Sequence, residues 1–168
     1  MNNKATSLAG TTISLQNTLV VEIKDAHFEG NNQTNIHIEL GEMLVHNSTF
    51  TKADYNIITG IDSVVKLDNV NMYNSSSFAP GHGFLCSRCF HVTIENSRFE
   101  NLETSNQGGA ISIVSLYNDT MHPVSYIRNS TFVNNKARIG GGAVLLDRTF
   151  MIELSGNLFQ ENQAFGQH

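Results

Sequence analysis

The sequence predicts an all-β fold, a right-handed parallel β-helix solenoid of about six coils. Three observations carry that reading. First, Asn, Ser, Thr and Gly make up 61 of the 168 residues, beside 2 Pro and no Trp. That palette suits tight turns and short strands and works against long helices. Second, the chain repeats itself: bulky anchors stand at Phe28, Phe50, Met72, Phe99, Phe132 and Phe159, spaced 22, 22, 27, 33 and 27 residues apart. Third, the columns before those anchors align without gaps. Five residues ahead of each lies Ile23, Val45, Leu67, Ile94, Ile127 or Leu154, aliphatic every time.

Each element of the coil follows from these columns. Seven residues before the anchors stand Val21, Met43, Val65, Val92, Ser125 and Ile152. Apolar side chains at alternate positions mark a strand with one inward face. Three before the anchors come Asp25, Asn47, Asn69, Asn96, Asn129 and Gly156, a polar column that reads as a turn. A second strand follows each anchor, entered through Gly108-Gly109-Ala110-Ile111 and Gly141-Gly142-Ala143-Val144, with Gly81-His82-Gly83-Phe84 in the same slot after Met72. A unit of about 22 residues cannot close a core alone, so the units must stack. The LxxLxLxxN pattern of leucine-rich repeats is absent. The extra residues of the longer repeats are expected after the second strand, at Leu85 to His91, Val114 to Val124 and near Asp147 to Phe150, on one recognition face. Residues 1–168 form one β-helix segment, with both ends expected to be incomplete and the segment part of a longer chain.

Charge and hydropathy exclude other classes. Ten Lys plus Arg against fifteen Asp plus Glu give a net charge of −5. With no basic run longer than a pair, a nucleic-acid partner lacks its electrostatic footprint. No apolar stretch approaches the roughly 18 residues of a membrane span. The opening MNNKATSLAG has no signal-peptide pattern.

The paired motifs GGAI (Gly108 to Ile111) and GGAV (Gly141 to Val144), with FVNN (Phe132 to Asn135) and FQEN (Phe159 to Asn162), carry a family resemblance. They resemble the GGA[I/V] and FxxN repeats of chlamydial polymorphic membrane protein passengers. They equally resemble the pectin-lyase-like right-handed β-helix repeat proteins of protist surfaces. Phe99-Glu100-Asn101-Leu102 departs from the FxxN form. The resemblance implies an extracellular adhesive or structural role, although the fold hosts enzymes as well as inert stalks.

Candidate sites are few. Cys86-Ser87-Arg88-Cys89 sits between strands with no helical pattern after it, which favours a small structural disulfide; free thiols and a redox dithiol are the alternatives. A disulfide would imply an oxidising compartment. Sequons occur at Asn32, Asn47, Asn74, Asn118 and Asn129. Asn47 and Asn129 belong to the turn column, where a stacked amide would leave no room for glycan. Asn118, in the longest insertion, is therefore the first N-glycosylation candidate, followed by Asn74 and Asn32. The column itself, Asn47, Asn69, Asn96 and Asn129 with Asp25, reads as a structural amide ladder; one carboxylate is too few for calcium. No metal or cofactor is expected.

Pro80-Gly81-His82-Gly83 resembles the Gly-His-Gly turn of polygalacturonases, which share this fold, and Asp62 lies one coil earlier. Inverting hydrolysis needs a pair of carboxylates, and the accompanying Asp-Asp, Asn-Thr-Asp and Arg-x-Lys signatures are missing. Asp62 and His82 are thus weak catalytic candidates, since the repeat already explains the tripeptide. The expected function is a non-enzymatic structural or adhesion protein of the cell surface or extracellular matrix. It would join end to end into homo-oligomers or glycosylated filaments, with surface glycans as further partners. The alternatives are a polysaccharide-binding or polysaccharide-cleaving β-helix and a bacterial autotransporter passenger.

Overall fold

The computed structural model describes residues 12–117 and 124–166. Every described strand pairing is parallel, and the strands form two sheets. One sheet has six strands, Ile13–Gln16, Ile36–Glu39, Ile58–Ile61, Phe84–Ser87, Ile111–Val114 and Val144–Asp147, stacked in chain order. The other has twelve and bends at the corners. Strand Glu42–Thr51 runs through the corner at Asn47, and strand Val64–Ser77 through those at Asn69 and Asn74.

The anchors define the register. Phe28 pairs Phe50, Phe50 pairs Met72, Met72 pairs Phe99, Phe99 pairs Phe132, and Phe132 pairs Phe159. The aliphatic column from Ile23 to Leu154 pairs in the same unbroken way. Each inward residue therefore rests on its counterpart one coil away, about 4.8 Å along the axis. Rings stack where the column supplies two Phe in a row: centroids lie 4.7 Å apart for Phe28–Phe50, 5.0 Å for Phe99–Phe132 and 4.8 Å for Phe132–Phe159. Met72 fills the rung between Phe50 and Phe99 and is fully buried.

The corners turn through left-handed backbone, where Asn costs less than most residues. Asp25, Asn47, Asn69, Asn96, Asn129 and Gly156 all have φ between 47° and 64°. Two further columns share this conformation. Gly30, Lys52, Asn74, Asn101, Asn134 and Glu161 lie two residues after the anchors. Asn17, Leu40, Asp62, Arg88, Ser115 and Arg148 close the strands of the six-stranded sheet.

The insertions divide between two corners, which corrects the expectation of a single insertion face. Eight residues separate Phe28 from Ile36 and Phe50 from Ile58, but twelve separate Met72 from Phe84, Phe99 from Ile111 and Phe132 from Val144. Four residues have thus been added before the six-stranded sheet in three successive coils. Leu85 to Ser87, expected in a loop, belong to strand Phe84–Ser87 and pair with Ser112 to Val114. The large insertion after Val114 follows strand Ile111–Val114, at the other corner of the six-stranded sheet. Gapless alignment had hidden the split, because only the later coils carry a Gly-Gly slot to align.

Candidate functional site

The side chains with functional chemistry lie at the corners, and most are engaged with the next coil. In the first Asn column, Asn47 Nδ2 donates to Asp25 Oδ1 at 3.3 Å and Asn69 Nδ2 to Asn47 Oδ1 at 2.9 Å. The ladder then departs from its column: Asn96 Nδ2 donates to Asp68 Oδ1 at 2.8 Å. A charged carboxylate is the stronger acceptor, and Asp68 sits beside Asn69. At the far end Asn129 Oδ1 stands 2.5 Å from where a Cβ on Gly156 would lie, so the column ends in glycine.

A second amide ladder escaped the sequence reading. Asn101 Nδ2 donates to Asn74 Oδ1 at 3.0 Å, and Asn134 Nδ2 to Asn101 Oδ1 at 2.7 Å. Its signal was diluted because Gly30, Lys52 and Glu161 share the column. Inward-facing amides and hydroxyls bind backbone instead. Asn135, fully buried, accepts from Leu102 N at 3.1 Å and donates to Phe99 O at 3.0 Å. Asn162 repeats this one coil later, donating to Phe132 O at 2.8 Å. That is the physical content of FxxN. Ser48, Ser97 and Ser130 accept from the backbone N–H of the preceding coil and donate to a carbonyl two residues back, which accounts for the recurring Asn-Ser pair.

The two weak catalytic candidates do not meet. Asp62 follows one strand of the six-stranded sheet and His82 precedes the next strand, so they lie at opposite ends of its short strands. Asp62 accepts two bonds from Arg88, Nε to Oδ1 at 3.0 Å and Nη2 to Oδ2 at 2.7 Å. The Arg88 guanidinium holds its carboxyl below the usual range. His82 is fully buried, and neither ring nitrogen has a hydrogen-bond partner among the described residues. Desolvation pushes its pKa from 6.5 down to about 4, so the ring is neutral near pH 7. No group of three or more His, Cys, Asp or Glu converges among the described residues.

His82 makes stability acid-sensitive. Between pH 6.5 and 4 the unfolded chain takes up a proton that the folded chain refuses. The His82 contribution is fully present above pH 6.5, falls as pH drops to about 4, and amounts to a loss of about 3 kcal/mol over that window. Urea titrations at pH 7.5, 5.5 and 4.5 should show this loss, and His82→Phe should reduce its slope. Glu29 and Glu153, held low by Lys52 and Arg128, act in the same direction at lower pH.

Cys86 and Cys89 are bonded to each other and buried. Cys86 points inward from its strand, and the Cys89 sulfur lies 3.6 Å from Gly60 O in the coil before. A Cβ on Gly60 would only touch that sulfur at 3.5 Å but would crowd Ser63 Oγ at 2.9 Å and Val65 Cγ2 at 3.0 Å. The loop closed is very short, and chain entropy assigns the bridge about 2 kcal/mol. Cys86→Ala with Cys89→Ala is expected to lower the free energy of urea unfolding by about that amount.

The sequons sort differently from expectation. Asn118 lies outside the described residues. Asn32 and Asn74 are exposed, and so are Asn47 and Asn129, whose ladder faces solvent. The expected lack of room therefore does not hold for these two. Their constraint is the hydrogen-bonded turn itself.

Parallel strands stacked in register, three left-handed corners per coil and an inward aromatic column define a parallel β-helix. The right-handed β-helix region family matches residues 1–164, and the chain belongs to that family. No curated protein and no solved structure matches it. No helix among the described residues is long and apolar enough to cross a membrane.

Proposed function

We propose that this chain is a non-enzymatic structural or adhesion protein of the cell surface or extracellular matrix, its coils stacking end to end into longer assemblies. One observation carries the reading. Along the described coils each inward anchor rests on its counterpart, and corner amides bond from one coil to the next, so the polar and apolar side chains alike serve a continuous wall. Each coil is a template for the next, whether the same chain or a second copy supplies it. A head-to-tail contact of this kind does not close on itself and propagates. The pairing of Cys86 with Cys89 supports an oxidising compartment. Exposed Asn32 and Asn74 support a glycosylated surface.

Sedimentation velocity tests the joining step. The chain should form larger species as concentration rises, with unchanged β-sheet circular dichroism. A wild-type chain that stays monomeric at every concentration would refute end-to-end assembly.

A further inference from the structure

The corner that closes the six-stranded sheet carries its surface groups in a definite order along the solenoid axis. Leu40, Asp62 and Arg88 hold equivalent left-handed positions in three successive coils, each following a residue of one paired row. Leu40 is an apolar knob, 49% exposed. Asp62 accepts its two bonds from Arg88 Nε and Nη2, so the donors on Nη1 remain for a further acceptor. The Arg88 side chain is half exposed. Beyond this pair, Phe90 and Tyr117 stack with ring centroids 5.5 Å apart, and both rings reach solvent. Tyr117 stands two residues past Ser115, the next member of the corner column. Along the axis the order is knob, acid, base, aromatic platform. Exposed apolar side chains stand at other corners as well, so the order matters here more than the exposure.

We infer that this corner pairs with the same corner of a second copy of the chain, side by side and running antiparallel. The order of groups is self-complementary. A two-fold axis crossing the corner between Asp62 and Arg88 brings the acid of each chain opposite the base of the other. One coil further out, the same axis sets Leu40 opposite the coil of Ser115, which presents the Tyr117 ring. Acid thus meets base, and knob meets platform, twice over, as an isologous contact requires. A parallel neighbour in the same register would instead set Asp62 against Asp62 and Arg88 against Arg88, which like-charge repulsion disfavours. Tyr and Arg are also side chains enriched where contacts carry binding energy. The patch spans four coils, about 15 Å along the axis, and is smaller than the roughly 800 Å² per partner of a standard interface. The pairing is therefore weak, with a Kd between about 1 μM and 1 mM. It closes on itself and does not rest on end-to-end stacking.

Sedimentation equilibrium of the full chain tests this at about 0.15 M salt, which screens the repulsion between two copies of net charge −5. A monomer–dimer equilibrium is expected, and small-angle X-ray scattering should find the dimer thicker but no longer than the monomer. Arg88→Glu alone and Asp62→Arg alone should each weaken pairing by about tenfold or more, because each sets like charges face to face. An equimolar mixture of these two variants should restore it, since the mixed pair again sets acid against base. A purely internal role for the Asp62–Arg88 bond would leave the mixture as weak as its components. Leu40→Asn separates contact from folding. Asn suits the left-handed corner better than Leu, so the melting temperature should hold or rise while pairing weakens by about tenfold. The inference fails if the chain stays monomeric up to about 1 mM, if mixing does not restore pairing, or if Leu40→Asn pairs like the wild type. Particles that lengthen with concentration and ignore both Asp62→Arg and Leu40→Asn would overturn the side-by-side pairing and leave end-to-end stacking standing.

Discussion

Phe132→Ala is expected to cost about 3–5 kcal/mol, the range for emptying a buried aromatic site. Phe132 is the ring with a stacked neighbour on both sides, Phe99 at 5.0 Å and Phe159 at 4.8 Å. Its removal opens a void that spans a coil, and parallel strands held in register on either side cannot collapse into it. Phe159→Ala makes the internal comparison. That ring sits in the same column but is half exposed, so its loss should cost markedly less. Urea denaturation followed by circular dichroism reads both. Equal costs for the two would mean that the aromatic column is not what holds the coils together.

The second large effect is expected at Gly109. A Cβ there would lie 2.0 Å from the carbonyl oxygen of Gly142 and 2.9 Å from the backbone N and O of Lys136. All three are backbone atoms, so no rotamer change relieves the clash, and the coil carrying Gly142 must move away. Gly109→Val should cost more than about 4 kcal/mol, the tail of single-substitution effects, and should expose the chain after Ser105 to proteolysis. Gly140→Ala is the matched control in the neighbouring glycine run: a Cβ there meets nothing within 4 Å, and no positive φ opposes it. Gly140→Ala should be close to neutral. A mild Gly109→Val would show that adjacent coils are not packed backbone to backbone at this corner.

The same column explains why Gly-His-Gly misdirects a reader looking for chemistry. Counting back from the paired strands, Asn56, His82, Gly109 and Gly142 stand one above the other. His82 occupies a slot where the later coils tolerate only glycine, and it does so buried and without a polar partner. Its residue type suggested a catalytic role; its position makes it a source of acid lability.

What was legible in the sequence were the features repeated in every coil. The aliphatic column and the anchors recur in each unit, and the structure pairs them residue for residue. The Asn-Ser corner was legible as a turn, because Asn supplies the left-handed residue there in most coils. The corner containing Leu40 and Arg88 was not, since nothing in those side chains announces a positive φ. The second amide ladder was hidden for the same reason, with Lys52 and Glu161 among its members. The division of insertion lengths between two corners was not legible, because most coils carry no local motif that marks it. Only the strand pairing of Ile58 with Phe84 reveals that division.

Electron microscopy of native material, purified without denaturant, tests the central claim most directly. A stiff wall of parallel coils that stacks end to end predicts continuous filaments with a repeat of about 4.8 Å along the axis. Short separate rods that keep this spacing but do not lengthen with concentration would contradict it.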